Sequence, residues 1–260
     1  MRSQDDKTPR ESSRCPNTTE CFARGKATFL ILGGRCTRSC AFCSAGRGAG
    51  KAPDSLEPDR VARAVAMLGL KYAVVTSVTR DDLPDGGSSA FAEVIRSVRR
   101  FSPETVVEVL VPDFRGMGSS VAEVTSASPG VFGHNIETVR RLYPAVRMGA
   151  GYDRSLGLLK SVKSCAPHIP VKSGLMLGMG ETDEEVIGTI HDIRRAGCDM
   201  LTIGQYMRPS KENLPVRRFY GMLEFDRYRA IALEAGFAAV KSGPFVRSSY
   251  FAEESYNNIK

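Results

Sequence analysis

Seven short runs rich in apolar and β-branched residues recur along the 260 residues of this chain, and stretches with helical spacing separate them. The runs are Thr28–Gly33, Tyr72–Val78, Thr105–Val111, Gly130–His134, Val171–Leu177, Met200–Tyr206 and Phe237–Ser242. Between them the spacing predicts helices over Pro58 to Leu70, behind a Ser55 cap, over Ser89 to Phe101, and over Thr182 to Ala196. The last opens on Thr182-Asp-Glu-Glu185, a capping box. Strand followed by helix, repeated, implies a parallel sheet, closed into a full or partial barrel or left open and doubly wound. With 42% hydrophobic residues, a chain of this length buries a substantial core and fits one large domain.

The ends of the runs favour the barrel. Thr76-Ser77 leads to Arg80-Asp81-Asp82, and others end in Pro112-Asp113-Phe114-Arg115, His134-Asn135 and Gln205-Tyr206, while Lys172-Ser173 stands at its run's own start. In a βα barrel such ends meet at one mouth, where the chemistry is placed. Arg80, His134, Asn135, Lys172 and Gln205 are therefore candidates for holding a cofactor or steering a substrate. The alternative for each is a structural hydrogen bond.

Cysteine usage is more specific. Cys36, Cys40 and Cys43 form a C-x3-C-x2-C triplet just after the first run. Thiolates hold iron–sulfur clusters, usually four per cluster, so three leave one iron open to a small chelating ligand. A zinc knuckle normally wants four ligands in paired spacing, and three thiols buried as small hydrophobes is the third reading. Cys165 and Cys198 read as buried structural thiols, and His168 and His191 as surface residues.

No apolar run approaches the ~20 residues of a membrane helix, and Met1-Arg-Ser-Gln-Asp-Asp-Lys lacks a secretory or transit character, so a cytoplasmic protein is expected. The formal net charge of +7 suits an anionic small molecule or an acidic protein partner. Its basic residues are dispersed, with no polybasic block interleaved with aromatics, which argues against nucleic acid. Gly46-Arg-Gly-Ala-Gly-Lys51 lacks two required positions of a P-loop, and Gly178-Met-Gly180 lacks the third glycine of a dinucleotide fingerprint, although its backbone could touch an adenosine.

Longer stretches carry a resemblance. Ala27-Thr-Phe-Leu-Ile-Leu-Gly33, Thr76-Ser-Val-Thr-Arg-Asp-Asp-Leu-Pro-Asp-Gly-Gly87, Glu108-Val-Leu-Val-Pro-Asp-Phe-Arg-Gly116, Val131-Phe-Gly-His-Asn-Ile-Glu-Thr-Val139, Lys172-Ser-Gly-Leu-Met-Leu-Gly-Met-Gly-Glu-Thr182 and Ser242-Gly-Pro-Phe-Val-Arg-Ser-Ser-Tyr250 follow in order. Together with the triplet they resemble the radical S-adenosylmethionine enzymes and, among those, the lipoyl synthases. The resemblance implies an α/β fold, a partial (β/α) barrel over 25–244, with an N-terminal extension over 1–24 and a C-terminal tail over 245–260 covering its mouth. It implies radical insertion of two sulfur atoms, at carbons 6 and 8 of a protein-bound octanoyl-lysine. In that reading Cys36, Cys40 and Cys43 hold a [4Fe–4S] cluster that binds and reductively cleaves S-adenosylmethionine. The implied partners are octanoylated lipoyl carrier domains, in dehydrogenase acyltransferase subunits or the glycine cleavage carrier protein. A reductant such as flavodoxin or ferredoxin and an iron–sulfur reloading protein complete the set.

The resemblance also implies a second, auxiliary [4Fe–4S] cluster as the sulfur source, held by an N-terminal C-x4-C-x5-C motif and a serine near the C-terminus. Cys15 and Cys21 match its second and third cysteines, and Ser249 matches the serine. Arg10 stands where the first cysteine belongs. That departure keeps two rivals open: a radical enzyme with altered or lost sulfur insertion, and a non-catalytic iron–sulfur protein.

Overall fold

The computed structural model describes residues 27–259, so Arg10, Cys15, Cys21 and the expected extension over 1–24 lie outside the described residues. The chain divides into two compact units, one running to Arg38 and over 44–132, the other over 39–43 and from Gly133 onward.

The first unit holds β1 (Ala27–Ile31), β2 (Arg35–Cys36), β3 (Gly46–Arg47), α1 (Glu57–Met67), β4 (Tyr72–Ser77), α2 (Ser88–Phe101), β5 (Val106–Leu110), α3 (Gly118–Ser126) and all but the last residue of β6 (Val131–Gly133). Its main strand order is β1-β4-β5-β6. β1 and β4 pair in parallel from Ala27 opposite Ala73 to Ile31 opposite Ser77, and β4 continues the sheet against β5 with Tyr72 opposite Val106. Tyr72, Ala73, Val74 and Val75 are all buried, which is why this strand reads as an unbroken apolar run rather than an alternating one. α2 buries Phe91, Ala92, Val94, Ile95 and Val98 and exposes Glu93, Arg96, Arg99 and Arg100, the stripe expected of a helix laid on a sheet. The expected Ser55 cap is not made. α1 starts after Leu56 without a side-chain cap, and it is Asp54 whose carboxylate accepts the Leu56 N–H, at 2.9 Å. α1 also stops at Met67, three residues short of the expected Leu70, because Gly69 turns into the left-handed region at φ +59°.

The second unit holds α4 (Tyr143–Val146), α5 (Tyr152–Cys165), β7 (Val171–Leu177), α6 (Asp183–Arg195), β8 (Met200–Gln205), α7 (Met222–Glu234), β9 (Ala239–Gly243) and α8 (Ala252–Asn257). Its strand order is β7-β8-β9, again parallel, with Lys172 opposite Met200 and Leu177 opposite Gln205. α6 begins as its sequence predicts: Thr182 Oγ1 accepts the Glu185 N–H at 3.3 Å, and the Glu185 carboxylate accepts the Thr182 N–H at 2.9 Å. Cys198 is buried, as expected, and burial pushes its thiol pKa up, whereas Cys165 is exposed at the end of α5 and is no core thiol. No helix among the described residues is long and apolar enough to cross a membrane.

The capping box yields a stability prediction. Thr182→Ala removes the acceptor for an otherwise orphaned helix N–H and should cost about 1 kcal/mol, read as a lower urea midpoint at unchanged slope.

Candidate active site

The cysteine loop is fixed at its first half by a buried ionic cluster. Arg38, two residues after Cys36, donates from Nε and Nη2 to the two carboxylate oxygens of Asp81 at 2.8 and 2.9 Å. Its Nη2 also donates to Asp113 Oδ1 at 2.6 Å. Asp113 is fully buried just beyond β5, and Asp81 follows β4, so one guanidinium ties the loop to the C-terminal ends of two neighbouring strands. Burial alone would pull the Arg38 pKa down, but hydrogen bonds to Asp113 and Asp81 outweigh it and hold the group as a cation. Backbone bonds finish the job. Thr37 donates from N and from Oγ1 to Thr79 O at 3.0 Å each, and its Oγ1 accepts the Asp81 N–H at 3.0 Å. The Arg38 N–H meets Cys36 Sγ at 3.4 Å, and Gly48 N donates to Cys36 O at 2.9 Å.

Residues 39–43 have their own anchors. Ala41 N donates to Val146 O at 2.9 Å, Leu214 N to Ala41 O at 2.9 Å, and Asn213 Nδ2 to Cys43 O at 2.9 Å. Phe42 packs with Leu214 and Val216 on Val146, Met179 and Tyr206. Beside this half stands Arg147, which the sequence reading missed because nothing sets it apart from the other dispersed basic residues. Arg147 Nη1 donates to Asn135 O at 2.9 Å and to the Tyr143 hydroxyl at 2.7 Å, and it meets Ser155 Oγ at 3.3 Å. Among the described residues its Nε and Nη2 donate to nothing. Burial lowers its pKa, but Tyr143, Glu137 and Cys40 raise it further, so it stays charged. Burial in turn raises the carboxyl of half-buried Glu137, partly offset by Arg147 and by the Asn135 amide, which donates to Glu137 Oε1 at 3.1 Å.

The five residues expected to hold a cofactor fall into different roles. Arg80 spends Nε, Nη1 and Nη2 on Asp82, Leu32 O and Lys51 O, so it is a clamp for its own loop. Gln205 is likewise committed: Nε2 donates to Leu177 O, Tyr206 O and Arg218 O, and Oε1 accepts the Tyr220 N–H, all within 3.0 to 3.1 Å. Gly178 is obligatory beside it, at φ +109° with 2.2 Å between a built Cβ and that amide nitrogen. Lys172 sits at the start of β7, five register positions from the level of Gln205, or roughly 16 Å. His134 is buried against Ser155 Oγ at 3.0 Å and directly follows Gly133, the last residue of β6. Pairing continues past it, since Glu137 N donates to Gly174 O and Glu137 O accepts from Met176 N, both at 2.9 Å. Glu137, an isolated bridge residue beyond β6, is a polar group of this end that the reading of His134-Asn135 missed. Asn135 lies beside Gly174 and bridges Arg147 to Glu137. The N–H groups of Gly178 and Met179 are taken by the Glu181 carboxylate, so this turn has no free backbone donors there for an adenosine.

Ser249 sits at the centre of a turn closed by Tyr250 N donating to Arg247 O at 2.8 Å, is half-buried, and makes no hydrogen bond among the described residues. The segment before it crosses β8 so closely that a Cβ on Gly204 would lie 2.2 Å from Val246 O.

Strands joined by helical crossovers, with three free thiols on a pinned loop after the first strand, define a radical S-adenosylmethionine enzyme, and residues 30–193 match the Radical SAM superfamily. The crystal structure of methylornithine synthase (PylB) aligns with a TM-score of 0.56 at 15% identity, over 82% of this chain and 70% of that one. Streptococcus suis SuiB bound to S-adenosylmethionine aligns at 0.63 and 10% identity, over 90% and 57%. These likenesses show the fold, a partial (β/α) barrel. Within the superfamily the chain belongs to the lipoyl synthases. It is 52% identical to lipoyl synthase of Geobacter metallireducens over 93% of its own length and 85% of that protein's, and 52% identical to that of Rubrobacter xylanophilus over 96% and 78%. It is thus a radical S-adenosylmethionine sulfurtransferase, and membership implies a [4Fe–4S] cluster and S-adenosylmethionine.

The donor set fits such a cluster. Cys36, Cys40 and Cys43 are free thiols, none fully buried, and Arg147 follows Val146, whose carbonyl accepts the Ala41 N–H beside Cys40. Among the described residues no group of three His, Cys, Asp or Glu side chains could hold a single metal ion, and a cluster asks for none, since each of its irons takes one protein thiolate. Arg38→Met should leave buried Asp113 and half-buried Asp81 without their cation and cost about 3–5 kcal/mol, measured by urea unfolding of the cluster-free protein. Adding Asp81→Asn and Asp113→Asn should recover much of that loss.

Proposed function

We propose that this chain inserts sulfur at carbons 6 and 8 of an octanoyl group attached to a lysine of a carrier domain, with Cys36, Cys40 and Cys43 as the ligands of its catalytic cluster. When bound, that cluster supplies the electron that cleaves S-adenosylmethionine and so starts hydrogen removal from unactivated carbon. The observation that carries the reading is Arg147, a buried cation next to Cys40 with Nε and Nη2 unspent among the described residues. A guanidinium with free donors suits the carboxylate of an amino acid such as S-adenosylmethionine, and Glu137, just beyond the end of β6, suits ribose hydroxyls or an ammonium group. Asn135 holds the two at a fixed spacing. Arg38 and its two aspartates keep the loop in place, and Arg80 and Gln205 act as supports for neighbouring backbone rather than as ligands.

Cys15 and Cys21, in the extension over 1–24, and Ser249 are proposed as the remaining ligands of the auxiliary cluster, without a cysteine at Arg10. The unspent hydroxyl of Ser249 supports its part in that. The cluster's electrons would come from a flavodoxin- or ferredoxin-like reductant, its sulfur would be restored by an iron–sulfur reloading protein, and the setting would be the cytoplasm.

Iron and sulfide analysis with Mössbauer spectroscopy, on anaerobically reconstituted protein, tests this. At four irons per cluster, the wild type should carry about eight and the variant lacking Cys36, Cys40 and Cys43 about four. About four and none would remove the sulfur source and leave a radical enzyme of other chemistry. Arg147→Met should weaken S-adenosylmethionine binding by roughly 10- to 100-fold, the worth of a hydrogen bond to a charged group, in equilibrium dialysis with the loaded protein.

A further inference from the structure

Several surface arginines of this protein are neutralised where they stand. Arg96 pairs with Glu93, Arg140 with Asp153, Arg141 with Glu185 and Arg227 with Asp183. The stretch between β8 and α7 gathers cations that are not neutralised in that way. Arg208 gives its guanidinium to the carbonyl oxygens of Asn213 and Lys211, and neither exposed Lys211 nor exposed Arg217 has an ion-pair partner among the described residues. From Arg208 to Arg217 one acid, Glu212, stands against three cations. Arg218, next along, is taken by Glu224.

Three outward apolar side chains follow at once: Phe219 is 72% exposed, Met222 57% and Leu223 84%. They are not loose. Tyr220, between them, turns inward to ring contacts of 6.2 Å with Phe225 and with Tyr228, and its N–H is held by Gln205 Oε1 at 3.0 Å. The result is an apolar centre on a fixed backbone with unneutralised cations along one side, which is the anatomy of a protein-binding surface. The same stretch, through Asn213, Leu214 and Val216, holds the Cys40–Cys43 part of the cysteine loop. A partner seated on Phe219 to Leu223 therefore contacts the segment that begins at the site's own support.

We propose that Arg208, Lys211, Arg217, Phe219, Met222 and Leu223 form the docking surface for the acyl-bearing domain, and that this domain meets it with an acidic face. The proposal rests on the reading of the chain as an enzyme acting on octanoyl-lysine within a protein. Charge complementarity selects the occupant: three cations without carboxylates attract an acidic surface and repel a second copy of this basic chain. The apolar centre supplies the contact area that a cation cluster alone does not.

The test uses full-length reconstituted protein and a purified octanoylated carrier domain, with binding read by calorimetry in the absence of reductant. Leu223→Glu and Arg217→Glu alter exposed side chains and should leave iron content and thermal midpoint unchanged. Each should weaken domain binding at least tenfold, and wild-type affinity should fall with added salt. In turnover, KM for the domain should rise at unchanged kcat, while a short octanoyl-lysine peptide, which lacks the domain surface, should be processed alike by all three proteins. Wild-type binding that both variants match, wild-type protein that fails to bind the domain, or a dimer that Leu223→Glu dissolves would each overturn the proposal. If the wild type binds the domain yet modifies neither substrate, the functional reading fails, and the docking surface is still decided by the two variants' affinities.

Discussion

One buried guanidinium holds the reactive loop in place. Arg38 lies inside the cysteine triplet, and without Asp81 and Asp113 its burial would be prohibitive, since an unpaired charge away from water costs several kcal/mol. Both carboxylates come from just past parallel strands, so the ordering of the sheet is transmitted to Cys36 through three charge-assisted hydrogen bonds. A loop that must present sulfur to a cofactor cannot be buried as apolar core. Fixing it by ions and backbone bonds leaves its thiols accessible while removing its freedom.

The strands were legible because parallel strands buried on both faces spell out continuous apolar runs, and β7 follows its expected bounds of Val171 to Leu177. The capping box at Thr182 was equally legible, being a local hydrogen-bond pattern written in four residues. Five of the described helices were not, and the two long ones among them show why. α5 carries Gly157 in its middle and several serines, so its apolar spacing is broken. α7 places Met222, Leu223 and Leu233 toward solvent while burying Phe225, Tyr228 and Ala232, so apolar residues stand on both faces and no clear stripe remains.

Site legibility follows a similar division. Cysteine spacing announces its chemistry, because only a few functions want three thiols so close. Arg147 and Glu137 carry no such mark, and their roles come from tertiary placement: one stands beside Cys40, the other bridges to β7 beyond the end of β6.

Arg80 and Gln205 looked like ligand holders because each is a polar side chain near a strand end. Their donors are spent on carbonyl oxygens that would otherwise be buried without partners, a need that arises wherever irregular backbone packs against strand ends. Ligand binding then falls to side chains with capacity left over. Arg80 uses all three of its nitrogens on the protein, whereas Arg147 uses Nη1 alone, and the difference separates a structural arginine from one available to an anion. The same reasoning applies at the surface, where Arg141 and Arg227 are satisfied by carboxylates and Arg217 is not. Counting unspent donors, more than counting charged residues, distinguishes the positions at which this protein meets other molecules from those at which it holds itself together.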